Sequence, residues 1–371
     1  METPGPHRNN PFRPLPRGLP NYNRADPGRW EGCMVAVSTR SHPEARLSAG
    51  QPAVVAGRYR LERCLGSGGM GEVWRAQHLF TRRAVALKRV HPVLLRKDAG
   101  AARRFFDEAA LQASIRHPGV VEVFDAGREP DGTAYMAMEL LCGWDLETAL
   151  LQRRLRPRDV VRVATRLLDA LAACHAQGVL HLDVKPGNVF LVRSEVRAVQ
   201  VKLLDFGVAQ RVSDGRCPNF GTLEFMSPEQ ARREPVGPRS DLFSVAAVLY
   251  RGLTGRPPYR CGRPETLAAA SMFPPPGLRD VRPELPEDLA EVVDRGLAPV
   301  GRRWGRAEDM AQALMMCDHG QLAELSPPQA EPCGSERTVR FGTGSAGATL
   351  RVPRARRNPS PVPRLASPRV L

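Results

Sequence analysis

The sequence predicts an α+β chain in two lobes, a small one built mostly of strands followed by a larger one built mostly of helices. Five runs of strand-forming residues crowd the stretch 59–141, and beyond Gly143 the apolar residues recur at helical spacing. Outside these limits, 1–57 and 326–371 are rich in Pro and Arg with no sustained period, so neither is expected to join a core.

The elements follow in order. YRLERCL, from Tyr59, reads as a first strand; a glycine-rich stretch then leads into EVWRAQH and AVALKRV as the second and third. An amphipathic stretch over about 99–115 sets Phe105, Ala109 and either Gln112 or Leu111 along one side of a helix, ended by His117-Pro118. VVEVFDA and TAYMAMEL complete a five-stranded lobe. Helical spacing then covers 144–154, 158–177, 240–254, 286–297 and 306–318. The resulting division is a disordered Pro/Arg-rich segment 1–57, an ordered domain 58–320 with lobes 58–138 and 139–320, and a flexible basic tail 321–371.

Composition narrows the function classes. No apolar run approaches the roughly 18 residues of a membrane span; LFSVAAVLY at 242–250 is the best and is too short. The first twenty residues, with six prolines and no apolar segment, are not expected to form a signal peptide. Eight cysteines are scattered without a CxxC pair, which argues against a zinc site or disulfide framework and suits a reducing cytoplasmic location. The net charge of +15 is spread thinly, with 7 Arg against 4 acidic residues in 1–57 and 8 against 3 in 321–371. Solubility and a general affinity for anions account for that spread, and no specific nucleic-acid partner is expected. Nothing in the sequence points to an oligomeric state.

Lysine usage says more. Four lysines (88, 97, 185 and 202) stand among 54 basic residues, so this chain uses Arg almost everywhere. A position that keeps lysine against that bias asks for a compact ammonium rather than a planar fork.

The chemistry concentrates in HLDVKPGN at 181–188 and LLDFG at 203–207. Asp183 can accept a hydroxyl proton, Lys185 can offset phosphate charge, and Asn188 with Asp205 can hold a divalent cation. A lone HxD is most often a turn carboxylate; Lys185 and Asn188 at fixed offsets change that reading. Upstream, Gly66-x-Gly68-x-x-Gly71 is weak by itself, and a dinucleotide-binding turn is its natural rival. That rival needs a helix to open at the third glycine, yet Glu72-Val73-Trp74 and then VALK follow, so a hairpin is expected instead.

LGSGGMGEV at 65–73, VALK at 85–88, HLDVKPGN and LLDFG together resemble the signature set of the protein serine/threonine kinases, in particular the eukaryotic-like (Hanks-type) kinases of bacteria. The resemblance runs from about Arg58 to about Gly320. It implies the bilobal protein-kinase fold, ATP and Mg2+ as cofactors, and transfer of the γ-phosphoryl group to Ser or Thr hydroxyls of protein substrates. Leu65, Gly66, Ser67, Gly68, Gly69, Met70, Gly71 and Val73 would form the flap over the phosphates. Lys88 would meet the α- and β-phosphates, held by Glu108 of the helix; the neighbouring Asp107 would point about 100° away. Ala86 and Phe190 would sandwich the adenine beside a hinge formed by the backbone from Glu139 to Leu141, with Met138 as gatekeeper. Asp183 and Lys185 would be catalytic, Asn188 and Asp205 metal ligands. Gly207 would let the chain turn sharply beside the metal.

Supporting roles are implied as well. His181 would pack behind the site with Phe206, Thr222 would hydrogen-bond Asp183 and Lys185, and Glu229 would pair with an arginine of RRW, Arg303. Asp241 would anchor the catalytic loop's backbone, and GTLEFMSPE would form the platform that docks a peptide. Two positions depart from the family: Leu182 stands for the arginine of HRD, and Ala246 for a glycine after the anchoring aspartate. The first removes the cation that would read an activation-loop phosphate. The alternative is a pseudokinase-like nucleotide-binding scaffold; loss of Lys88, Asp183, Asn188 or Asp205 would favour it, and all four are present.

Overall fold

The structure, a computed structural model, describes residues 53–68, 71–90, 92–97, 100–152, 154–193, 200–212, 223–261, 263–317, 319–328, 336–340 and 349–353. Its first lobe is an antiparallel sheet of β1 (Val54–Val55), β2 (Tyr59–Gly68), β3 (Gly71–His78), β4 (Ala84–Val90), β5 (Val123–Arg128) and β6 (Ala134–Glu139), in the order β1-β2-β3-β4-β6-β5. Six strands thus stand where five were expected. Val54–Val55 is too short to announce itself by alternation, but Val55 is 1% exposed and packs with Tyr59, Leu61 and Trp74, so ordered packing starts before Arg58. Between β4 and β5 run a short α1 (Pro92–Lys97), not foreseen, and α2 (Ala101–Ser114). Phe105, Glu108, Ala109 and Gln112 form the buried side of α2. Gln112 faces inward because its Nε2 donates to the Val121 carbonyl at 3.0 Å, while Leu111 leans toward the helical lobe.

The second lobe opens with β7 (Gly143–Asp145), α3 (Leu146–Leu151) and α4 (Pro157–Ala176). Asp145 caps α3 by accepting the Thr148 amide at 2.5 Å. On α4, Pro157 takes the first position, where no amide partner is needed, and Val160, Ala164, Leu167, Leu171 and Cys174 form its buried stripe. Next come β8 (Val179–Leu180), a single turn at Pro186–Asn188, β9 (Val189–Val192), β10 (Gln200–Leu203) and β11 (Gln210–Arg211). After α5 (Pro228–Ala231) lies α6 (Pro238–Thr254), apolar on nearly every side and therefore the axis of the lobe. The lobe ends with α7 (Pro264–Ala270), α8 (Leu278–Val281), α9 (Glu287–Gly296), α10 (Ala307–Met316) and α11 (His319–Glu324). Leu322 on α11 is fully buried in the helical core, which carries the packed region past residue 320.

Residues 1–52 lie outside the described residues, as does most of the tail. Within the tail, β12 (Glu336–Arg340) pairs antiparallel with β13 (Thr349–Pro353), where no secondary structure was expected. Cys64, Cys174, Cys261 and Cys317 are free thiols, whereas Cys142 is disulfide-bonded, against the expectation of reduced cysteines throughout. No helix among the described residues is long and apolar enough to cross a membrane.

The lobes join at two places. The chain passes from β6 through Leu140–Cys142 into β7, and the segment after α2 pairs with β10: the Leu203 amide donates to Gly119 O (2.7 Å) and the Val121 amide to Leu203 O (3.1 Å). Lys202, also on β10, is buried; its Nζ donates to Glu139 Oε1 (2.5 Å) and to the Val120 carbonyl (3.2 Å). One of the four lysines is thereby committed to the seam, behind the connecting segment.

Candidate active site

An apolar slot lies along that seam. On the sheet side Val73 and Ala86 are buried, with Leu65 and Leu140 packed against them; on the helical side Phe190, Leu141, Leu204 and Val121 are buried together. Met138 belongs to both groups, so it stands at the back of the slot. Leu140 falls within the expected hinge, whereas Leu204 and Val121 were not foreseen. Leu204, directly before Asp205, was the one within reach, since it continues the apolar run that starts at Val201. The Glu139 amide donates to the Glu122 carbonyl (2.9 Å) and its Oε1 accepts from Lys202 and from the Glu122 amide (2.8 Å), so neither that amide nor Oε1 is left for a ligand.

The glycine-rich segment is a hairpin: Gly66, Ser67 and Gly68 of β2 pair with Val73, Glu72 and Gly71 of β3. Gly69 and Met70 lie outside the described residues. Gly71 must lack a side chain, because a Cβ there would sit 1.9 Å from the Arg89 carbonyl oxygen on β4.

Lys88 of β4 joins the two lobes. Its Nζ lies 2.6 Å from Glu108 Oε1 on α2 and 3.3 Å from Asp205 Oδ1. Asp107 faces the other way, toward Arg103 at 3.6 Å, and is well exposed. Burial works to lower the Lys88 pKa, but the charges of Asp205 and Glu108 outweigh it and hold the ammonium protonated far above neutral pH. The Lys88 charge in turn draws Asp205 down to about 2, against the opposing effect of burial. Burial pushes Glu108 up, opposed by Lys88.

Asp205 itself adopts the left-handed backbone, φ 57°, so the sharp turn falls there rather than at Gly207. Gly207 is needed for space: a Cβ would lie 3.2 Å from Asp205 Oδ1 and 3.5 Å from Glu108 Oε2.

Asp183 Oδ2 accepts from Lys185 Nζ (2.6 Å) and from Asn188 Nδ2 (3.0 Å), and Asn188 Nδ2 also reaches the Asp183 carbonyl at 2.9 Å. With the Asn188 donor turned to Asp183, the amide oxygen is the atom it can offer a cation. His181 stands behind this loop. Its Nε2 donates to the Leu204 carbonyl (3.0 Å), its Nδ1 accepts the Asp183 amide (3.3 Å), and its ring meets Phe206 edge-on at 4.9 Å. Both ring nitrogens are therefore committed.

Asp241 on α6 holds the loop by its backbone: Oδ1 accepts the Leu182 amide (2.7 Å), Oδ2 the His181 amide (3.0 Å), and Oδ2 lies 2.8 Å from His175 Nε2. Burial would raise the Asp241 pKa; hydrogen bonding and the nearby histidines overcome it, and the net shift is downward. Leu182 is in the left-handed region, φ 61°, with its amide held by Asp241 and its carbonyl accepting from Gln230 Nε2 at 2.9 Å. Glu229 takes both arms of Arg303, at 2.6 and 3.0 Å, and also accepts from Ser240 Oγ. Thr222 lies outside the described residues.

Among the described residues no three His, Cys, Asp or Glu side chains gather to hold a metal on their own. Asp205 and the Asn188 amide each offer oxygen, the kind of hard donor that magnesium takes.

The protein kinase domain family matches residues 59–277, more than half of the chain. Serine/threonine-protein kinase PknH of Mycobacterium tuberculosis is 36% identical over 280 residues, covering 72% of this chain and 44% of PknH. Serine/threonine-protein kinase pkn2 of Myxococcus xanthus is 36% identical over 318 residues, covering 80% and 38%; PknA of M. tuberculosis is 32% identical over 319 residues, covering 81% and 72%. The crystal structure of the M. tuberculosis PknI kinase domain superposes with a TM-score of 0.57 at 28% identity, covering 72% of this chain and 99% of that one. The chain belongs to the protein kinase domain family, on its bacterial serine/threonine side, and has the bilobal kinase fold. It spans under half the length of PknH and pkn2.

Proposed function

We propose that this chain is a protein serine/threonine kinase that uses ATP and Mg2+ to phosphorylate Ser and Thr hydroxyls of protein substrates, at a cytoplasmic location where ATP is supplied. The observation that carries the reading is Lys88, held at 2.6 Å by Glu108 and at 3.3 Å by Asp205, between two lobes that each bring a group of buried apolar residues to their seam.

The residues fit the nucleotide. Val73 and Ala86 above and Phe190 and Leu141 below would take the adenine's faces, and Met138 would limit the depth of the slot. Lys88 would present a fixed ammonium to the phosphates, pre-paid by its two carboxylates rather than by the ligand. When bound, magnesium supplies charge neutralisation of the phosphates, through Asp205 and the Asn188 amide oxygen. Asp183 would orient the acceptor hydroxyl and take its proton; Lys185, 2.6 Å away, would face the transferring group from the same side. His181 would move no proton, because Leu204 and the Asp183 amide occupy its ring. Catalysis would then rest on positioning and charge, with no covalent intermediate.

The test is incubation with ATP-Mg and a Ser/Thr peptide or generic protein, read by intact mass, for wild type beside Asp205→Asn and Asp183→Asn. Wild type should gain 80 Da increments on the acceptor (about the mass of one phosphoryl group), and each variant should lose at least a hundredfold in rate, about 2.7 kcal/mol. Asp183→Asn within about threefold of wild type would overturn the assignment of the base.

A further inference from the structure

Arg251 ties together two elements that reach the Asp183 loop from different sides. It stands on α6, seven residues and two turns beyond Ser244, so both project from one face of the most buried helix. Ser244 Oγ donates to the Phe225 carbonyl at 2.7 Å. Arg251 Nη1 donates to Glu224 Oε2 at 3.1 Å, its guanidinium lies 5.5 Å from the Phe225 ring centre, and Nη2 holds Glu147 on α3. α3 packs against the Pro186–Asn188 turn. The Glu224–Gln230 segment meets the same loop elsewhere, where Gln230 donates to the Leu182 carbonyl. One guanidinium fork therefore spans the flank of the catalytic loop and the segment that follows it in the site.

We propose that Arg251 is a positioning residue for the acceptor peptide, a clasp that holds Glu224 and Phe225 in register with the α3 side of the Asp183 loop; this deepens the protein-kinase reading and rests on it. Stability is a poor explanation of the arrangement. The side chains of Glu224 and Glu147 are 43% and 32% exposed, where solvent screening leaves ion pairs worth little. Geometry explains it better. A planar fork can hold two carboxylates at once in fixed directions, and a lysine at this place could not. Arg251 rides on a rigid helix, whereas Glu224 and Glu147 sit on short surface elements, so the clasp lends the helix's position to both. Its partners adjoin the Asp183 loop, through α3 at the Pro186–Asn188 turn and through the Glu224–Gln230 segment at Leu182, and none of them touches the Lys88–Glu108–Asp205 group in a described hydrogen bond or ion pair.

The experiment measures KM for a Ser/Thr peptide and for ATP, with kcat, in the full chain and in Arg251→Gln, Arg251→Lys, Glu224→Gln and Glu147→Gln. Arg251→Gln should raise peptide KM about tenfold or more, keep kcat at saturating peptide within about threefold, and move ATP KM less than about twofold. Arg251→Lys should recover only part of the loss, and Glu224→Gln should raise peptide KM in the same direction. Peptide and ATP KM rising in parallel, or peptide KM within about twofold of wild type in both Arg251→Gln and Glu224→Gln, would overturn the clasp. Should Arg251→Gln fail to fold, Glu224→Gln and Glu147→Gln decide, since both are surface changes. A wild-type chain that binds ATP yet phosphorylates no peptide would instead sink the protein-kinase reading itself.

Discussion

Leu182 is 2% exposed and carries no charge, yet it occupies the one position from which the family's arginine would read a phosphate on the activation segment. Its left-handed backbone costs on the order of 1–2 kcal/mol, and Asp241 and Gln230 hold the peptide on either side against that strain. With an apolar side chain buried there, a phosphate would find no partner at this position. Activity is therefore expected not to depend on phosphorylation of Ser213, which lies outside the described residues. Phosphatase-treated enzyme and Ser213→Ala should keep the initial rate, and a loss of tenfold or more in either would reveal a phosphate switch built on another cation, Arg211 or Arg216.

Also at the residue scale, Glu229 is buried against Arg303. Burial alone would raise its pKa, but the Arg303 hydrogen bonds and charge, with the Ser240 hydroxyl, hold it below the ordinary glutamate value. The sign follows from that depression. The pair's stabilisation is complete above the unfolded value of about 4.3 and is lost as pH falls through the lower folded value. Glu229→Gln should cost about 3–5 kcal/mol near neutral pH, because it leaves the Arg303 charge buried without its carboxylate. Thermal midpoints from pH 7 to pH 3 should fall more steeply in wild type than in Glu229→Gln below about pH 4.3; parallel curves would remove this pair as a source of acid sensitivity.

Helices α6 and α9 approach so closely that a Cβ on Gly296 would lie 2.5 Å from the Ala246 Cβ. This accounts for the alanine that departs from the family's glycine: its methyl group is received by a glycine on the facing helix. Gly296→Ala should cost about 1–3 kcal/mol by overpacking, and adding Ala246→Gly should return most of it. Urea midpoints of the two single variants and the double variant measure the coupling, and additive effects would show that the helices do not share this contact.

Elements of this kind differ in how legible they were in the sequence. α4 and α6 were plain, since α4 carries its apolar residues at helical spacing over 20 residues and α6 is a 17-residue segment apolar on nearly every side. α1, α5 and α8 are six residues or fewer and fall below any periodic signal, and β1 has two residues. The catalytic strings were legible because fixed chemistry demands fixed offsets. The Lys202–Glu139 tie and the Arg251 fork were not. Lys202–Glu139 spans 63 positions and the two arms of Arg251 span 27 and 104, and nothing local to any partner announces the other.

At the scale of the whole molecule, the core decides where the chain can be cut. The folded body extends beyond residues 58–320 at both ends, because Val55 is buried in the sheet lobe and Leu322 in the helical one. Arg282 further donates to the Ser326 carbonyl at 3.2 Å, which fixes the chain just past α11. A fragment of residues 53–328 should therefore fold and phosphorylate a generic substrate at the rate of the full chain, since every described residue of the slot and of the Asp183 loop lies between 53 and 328. A 58–328 fragment should be less stable. It gives up Val55 and the β1–β2 pairing, about 1.5–3 kcal/mol for the side chain alone. At about 2–4 °C per kcal/mol for a domain somewhat smaller than this one, its midpoint should drop by several degrees while its kcat stays unchanged. A 53–318 fragment should lose as much again by uncovering the Leu322 site on α4. Calorimetry of the three fragments beside the full chain reads this directly. Equal midpoints for 53–328 and 58–328 would show that β1 adds nothing to the lobe, and a folded but inactive 53–328 would show that the flanking segments belong to the catalytic machinery.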